Sequence, residues 1–426
     1  MKEPGLMAGL GALGALLSGG TILDALSQLV ERCGEPLRLR LMGFDAVVAA
    51  GPENVRRVLL DPGGRLSCRL KDDPVVGLCG RGLLVVDGEL HRNLRRLSEP
   101  YLRGDRLEGY AGSVLSRVDR LVAGWPRRGQ VELMGELRRL TLEILLEALF
   151  GLDPEPAETL ERGTRAAGDY IGPGPWLLGL RLPNPRLAGR VRPLEEYVRE
   201  QVRNRRLKPH GDNLLTAWAR CPWLSDELIR DQLMTFLVAG HETVAAWLGW
   251  ILGLVLSEAG LAERLRAEVL DGLGERSEPD PEGLRRLSLL EAVGREALRL
   301  WPPIPILNRR AVGPVGLSGG LVRPGGRVLV GLYALHRRGH LWPEPQKFRP
   351  ERFLGSRPGM PFAYLPFGAG PHTCIGAAFA RLEGGLVLAR LLQRVRLRPA
   401  FGRLRPRVGA TLEPAGPLFV EVERVW

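Results

Sequence analysis

The chain has 426 residues, 45% of them hydrophobic and 25% charged, enough for a large buried core and too apolar for wholesale disorder. The net charge is +12, but the basic residues, only four of them lysine, are scattered, with no basic tail and no interleaved aromatic platform; no nucleic acid is expected as partner, and an acidic protein suits the charge better. Five cysteines without a C-x-x-C pair argue against a disulfide framework or a structural zinc site, and for a reducing, cytoplasmic setting.

In chain order, Pro4 to Leu23 is uncharged and rich in glycine. Lys2 is offset by Glu3 and no A-x-A follows, so a signal peptide is not expected. A spanning helix wants about 20 strongly apolar residues, and the glycines spoil this run. The segment is expected to pack on the body, with no membrane-spanning helix; peripheral membrane contact is the alternative. Residues 37–60 read as short strands and then a helix from Pro52. Residues 105–150 have helical period. Residues 169–190 combine proline, glycine, Trp176 and four leucines, the composition of a surface lid. Ser225 is placed to cap a long helix running to about Glu258, another covers 281–300 and stops at Pro302-Pro303, and β-like pieces fill 321–335. A helix from Ala377 to Val395 and a β-like tail close the chain. Helices dominate, minor sheet accompanies them, and no βαβ alternation or G-x-G-x-x-G suggests a dinucleotide fold.

Polar residues stand out against this background. LMTFLVAGHETVAAWLGWILGLVL, from Leu233, is apolar all round except for His241, Glu242 and Thr243 at its centre. Each costs about 1–3 kcal/mol if buried unpaired. Thr243 can bond back to the carbonyl of Ala239 and open the helix. Gly240, on the same side, would leave a notch for a small ligand, and Glu242 can relay protons. A core helix with a satisfied kink, or a transmembrane helix, gives the same pattern. Glu296 and Arg299 in EALRLWPP share one helix face, and Arg352 in FRPERF can reach Glu296 to make a three-member ion network. Finally, FGAGPHTCIG surrounds Cys374 with Gly368, Gly370 and Gly376. A buried thiolate that binds a metal needs backbone N–H donors, and a loop tight enough to supply them needs glycine at crowded or positive-φ positions. Phe367 can cover the sulfur, and His372 can reach an anionic group of the ligand. Those are the requirements of a haem held by one axial cysteine.

F-x-x-G-x-[R/H]-x-C-x-G followed by a helix resembles the cysteine-ligand loop of the cytochromes P-450. AGHET (239–243) is similar to that family's oxygen-activating helix, EALR (296–299) to its E-x-x-R, FRPERF to its aromatic–arginine box, and DGELHRNLR (87–95) to its early propionate-binding helix. The resemblance covers about residues 20 to 420. The chain departs from the common pattern at His372, often Arg, and at Val244, often Thr or Ser.

The resemblance implies the cytochrome P-450 fold, mainly α with a small β-rich lobe, as a single catalytic domain over 1–426 with no fused reductase. It implies haem b, with Cys374 as the iron ligand, and with His91, Arg95, Arg310 and His372 toward the propionates. Phe367, Gly370 and Gly376 would shape the loop. Thr243 and Glu242 would guide protons, Gly240 would make room for dioxygen, and Glu296, Arg299 and Arg352 would brace the proximal side. Phe236, Ala239, Pro303 and Leu307 would line a pocket for a hydrophobic substrate, whether fatty acid, carotenoid or terpenoid-like. The implied reaction is insertion of one oxygen atom from O2 into a C–H bond. A separate ferredoxin or flavodoxin, with an NAD(P)H-dependent reductase, would supply the electrons, met by Arg381, Arg390 and Arg394 on the helix after the cysteine. A cytoplasmic monomer is expected. A peroxide-driven peroxygenase and a non-catalytic haem sensor are the alternatives; the Glu242–Thr243 pair would be superfluous in either.

Overall fold

The structure is a computed structural model describing residues 1–17, 19–41, 44–68, 73–154, 157–172, 185–274, 277–355 and 359–425. Its centre is the apolar run from Leu233. Ser225 caps the start, its Oγ accepting from Leu228 N at 3.2 Å, and the helix Asp226–Gly240 follows. At His241 the helix breaks and resumes as Glu242–Ser257. Leu233, Leu237, Ala245 and Leu248 are wholly buried in the main core. Each such leucine contributes about 1.5–3 kcal/mol. The two helices together, Asp226–Ser257, are long and apolar enough to cross a membrane, but 72% of their most apolar window is buried inside the protein; they are a core element.

A β-rich lobe packs beside the helices. Its five strands run in the order Leu37–Leu41, Phe44–Ala49, Arg327–Gly331, Ile306–Ala311, Leu66–Ser67. Phe44–Ala49 pairs parallel with Arg327–Gly331, and the other pairs are antiparallel. Val47, Ala49, Val328 and Val330 put β-branched or small side chains into a second core, as strand packing favours. A three-stranded sheet joins Arg128–Glu132, Phe419–Arg424 and Val395–Pro399.

Several expected elements are subdivided. The helical run 105–150 is interrupted by the strand Arg128–Glu132, held by the chain's last strand. The 281–300 helix is two: Asp280 caps the turn Pro281–Leu284, and the Glu268 carboxylate caps Ser288–Leu300 through the amides of Leu289 and Leu290 at 2.7 and 2.9 Å. The strand before 335 gives way to a helical turn, Leu332–Leu335. At the N-terminus, Ile22–Cys33 packs through Leu23, Leu26 and Val30, whereas Leu6–Leu17 leaves Met7, Leu13 and Leu17 exposed. Of the expected lid, residues 173–184 with Trp176 lie outside the described residues; helices Ala157–Ile171 and Pro185–Leu207 flank them.

Candidate active site

The cysteine loop is built from its glycines. Gly368 and Gly370 have φ of 68° and 74°, and a Cβ on Gly370 would sit 2.1 Å from the Leu59 carbonyl oxygen. No other residue fits there. The turn they allow brings Cys374 N within 2.9 Å of the Phe367 carbonyl and Thr373 N within 3.0 Å of Gly370 O. Gly376 departs from expectation: its φ is −86° and a Cβ would meet no protein atom within 4 Å. Its contribution is its amide, which donates to the Cys374 sulfur. Burial pushes the Cys374 thiol up, while that donor and the charges of Arg95 and Arg381 pull it back. Phe367 receives the Arg381 guanidinium over its ring at 4.5 Å.

Cys374 lies deep among protein atoms, yet its side chain is accessible. That accessible surface is what the sulfur can offer a ligand. The kinked helix has the same property. Ala239 is exposed and Thr243 half-buried, one turn apart on one face, between the buried runs Leu233–Val238 and Val244–Gly249. The Thr243 hydroxyl donates to Ala239 O at 2.9 Å, the back-bond expected to open the helix. Gly240 does not form the notch expected of it. A Cβ there would lie 3.1 Å from a Leu145 methyl, so its missing side chain admits Leu145 and the open face belongs to Ala239 and Thr243. Phe236, expected in the pocket, commits its ring to core aromatics, 5.3 Å from Trp218 and 6.2 Å from Phe150. Pro303 is buried with its carbonyl accepting from Leu412 N, and Leu307 touches the loop, 3.7 Å from a Cβ position on Gly368.

Glu242 points away from that face into a polar cavity of about 180 Å³, lined by Arg138, Arg165, Asp169, Arg407 and Glu413. Desolvation pushes its carboxyl up to about 7; Arg138 opposes this and Glu413 adds to it. Arg138 and Glu413 form a buried ion pair, and Arg407 also binds Glu413. Sequence reading missed this cage because its members are far apart in the chain.

Basic and imidazole groups gather near the loop. Arg95 bonds Thr373 O at 2.7 Å. His91 is buried, and desolvation together with His372 and Arg95 pushes it down to about 4, so it is neutral at pH 7. Its ring lies 4.1 Å from that of His372. Arg310 does not join them. It is exposed, whereas Arg309 is buried on the Leu307 side of the strand, the side that meets the loop. Alternation along the strand puts Arg309, and not Arg310, on that side.

The Glu296–Arg299–Arg352 group assembles fully. Arg299 and Glu296 are wholly buried and bond bidentately at 2.7 and 2.8 Å; Arg352 Nε reaches Glu296 at 3.2 Å, and Arg349 N donates to it at 2.9 Å. Arg299 also donates to the carbonyls of His336, Pro345 and Lys347. His336, unforeseen, carries the brace to the cysteine loop. Burial and the neighbouring Arg299 and Arg337 push it down to about 3, so its neutral Nε2 can accept from Leu365 N at 3.0 Å. Of the three expected docking arginines, only Arg381 is exposed; Arg390 is buried and it and Arg394 both bond Asp119.

An accessible thiol, a tight N–H-donating loop behind it, and Arg95, His91 and His372 beside it suit an anionic, thiolate-ligated macrocycle. Comparison with known proteins agrees. The family model for cytochrome P450 matches residues 195–410. Two proteins of Streptomyces melanosporofaciens align over nearly the whole chain. Cyclooctat-9-en-7-ol 5-monooxygenase is 34% identical, covering 90% of this chain and 87% of its own length; cyclooctatin synthase is 32% identical, covering 95% and 92%. The chain belongs to the cytochrome P450 family and is a haem-thiolate monooxygenase.

Proposed function

We propose that this enzyme hydroxylates a hydrophobic, terpenoid-like ring compound, with haem b held by Cys374 and electrons supplied by a separate ferredoxin or flavodoxin. The observation that carries the reading is the pairing of an accessible Cys374 with an accessible Ala239–Thr243 stripe in an otherwise buried helix. The terpenoid class rests on the relative named for a cyclooctat-9-en-7-ol substrate. A negatively charged donor suits the net charge of +12 and the exposed Arg381 beside the cysteine loop. A cytoplasmic, monomeric, single-domain enzyme completes the proposal. The substrate class is tested by binding spectra against a panel of cyclic terpenoid alcohols, fatty acids and carotenoids: tightest binding by the ring alcohols supports it, and fatty-acid preference overturns it.

When bound, haem supplies the activation of dioxygen and its insertion into a C–H bond. The chain supplies the rest. Gly376 N–H and Arg95 favour the thiolate of Cys374. Arg95, His91, His372 and Arg309 would hold the carboxylates of the macrocycle. Ala239 and Leu307 would present apolar surface to substrate. Glu242 takes protons from water in the polar cavity, and Thr243 hands them toward the oxygen-binding face.

Two expected results follow from that division of labour. Thr243→Ala leaves substrate affinity little changed but lowers product formed per reduced nicotinamide oxidised several-fold, with peroxide or water accounting for the remainder. An unchanged ratio reduces Thr243 to a helix-bending residue. Glu242 works as a proton donor only while protonated. With its carboxyl near 7 it loses that form as pH rises, so the product-forming rate falls above pH 7. Glu242→Gln lowers the rate by about 10²-fold or more and removes that limb of the profile. The same shift has a stability sign. The folded chain keeps a proton that the unfolded chain releases near 4.5, so Glu242 costs stability as pH rises from 4.5 to about 7, and the glutamine variant escapes the loss. A pH profile unchanged in Glu242→Gln contradicts the assignment.

A further inference from the structure

Next to the cysteine loop, one cluster brings together sulfur, oxygen and nitrogen donors that none of the roles above requires as a set. Cys68 follows the edge strand Leu66–Ser67, Asp87 precedes the helix Gly88–Ser98, and His372 ends the turn before Cys374. The Cys68 sulfur, an Asp87 carboxylate oxygen and a His372 ring nitrogen all lie within 4.8 Å of one another. His372 Nε2 is 3.0 Å from Asp87 Oδ1. Zinc bonds of about 2.0–2.3 Å in a tetrahedron put donor atoms roughly 3.4–3.7 Å apart, so small side-chain rotations convert this cluster to a coordination site. The donor set is informative as well. Magnesium and calcium want oxygen throughout, whereas mixed thiolate, imidazole and carboxylate suits zinc.

The surroundings are those of a supported ligand set. Asp87 accepts from Ser67 Oγ at 2.7 Å and from the Cys68 amide, bonds that fix its carboxylate. Burial disfavours its charge, but His372, Ser67 and Cys68 outweigh burial and keep it ionised far below pH 7. Cys68 is buried and its thiol donates to the carbonyls of Leu84 and Val86 at 3.7 and 3.6 Å, contacts that a cation taking the sulfur must displace together with the thiol proton. His372 presents Nε2 to this cluster, which leaves Nδ1 as the nitrogen for a haem carboxylate. A metal-bound imidazole that donates its other N–H to a carboxylate is held in one tautomer and one orientation.

We propose that Cys68, Asp87 and His372 form a binding site for a zinc-class divalent cation at the rim of the haem pocket, and that the bound cation locks His372 onto the haem carboxylate. Binding displaces the Cys68 thiol proton to solvent. The coupling to haem rests on the propionate role given to His372 above; the cation site itself does not.

The test uses holoenzyme, with haem content and the CO spectrum recorded first, so that failure of the haem reading is seen separately from failure of this one. Zinc chloride is titrated by calorimetry, and metal per chain is counted after dialysis, for wild type, Cys68→Ser and Asp87→Asn. The expected result is one zinc per wild-type chain, with affinity about tenfold or more weaker in each variant. Zinc is also expected to slow haem transfer to apomyoglobin in wild type and to leave the rate unchanged in Cys68→Ser. Zinc binding equally tight in Cys68→Ser or Asp87→Asn, or no stoichiometric zinc in wild type, overturns the site. Haem transfer indifferent to bound zinc overturns the coupling through His372.

Discussion

Cys374→Ser is expected to abolish the red-shifted CO band of the reduced protein. That band would require a thiolate to hold the iron, and a serine hydroxyl in the same loop would remain neutral. The loop itself should survive, because its shape is set by Gly368, Gly370 and the Cys374 N to Phe367 O bond rather than by the sulfur. The variant is therefore expected to fold, with circular dichroism close to wild type. Persistence of the band would mean that another thiol ligates the iron, and Cys33, Cys68, Cys79 and Cys221 would each have to be replaced in turn.

Glu296→Ala is expected to cost haem retention and folding far more than chemistry. The carboxylate receives both arms of Arg299, the Nε of Arg352 and the amide of Arg349. Removing it strands a wholly buried guanidinium. Breaking such a pair typically costs about 3–5 kcal/mol, a large share of a stability of about 5–15 kcal/mol. The damage should spread to the cysteine loop, because Arg299 fixes the His336 carbonyl and His336 in turn receives the Leu365 amide. Haem per chain and Tm are the readouts. A variant with normal values for both would show that the network is not a brace.

Much of this site was legible because its chemistry is local in sequence. The Glu296–Arg299 spacing predicts a shared helix face, the Thr243 back-bond to Ala239 needs only one helical turn, and the glycines of FGAGPHTCIG announce a tight loop. What was not legible depends on the third dimension. Arg309 and Arg310 are indistinguishable until strand register places Leu307 against the loop. Gly240 invites a notch until Leu145 fills it. Arg390 and Arg394 resemble a docking surface until Asp119, on the helix Ala111–Gly124, takes them inward. The Arg138–Glu413 cage around Glu242 and the His336 link join residues too distant in sequence for any spacing rule. The fold class was readable for a related reason: long apolar helices carry their period with them, whereas the strand Arg128–Glu132 exists only because Phe419–Arg424 pairs with it.

The most direct test of the central claim follows the oxygen. Wild-type enzyme is incubated with a cyclic terpenoid alcohol, a ferredoxin, its reductase and reduced nicotinamide under ¹⁸O2, in parallel with peroxide alone, and the product is weighed by mass spectrometry. The account predicts one ¹⁸O atom per hydroxylated product in the ferredoxin reaction and little turnover with peroxide. Turnover with peroxide alone, together with no labelled product from the ferredoxin system, would contradict it.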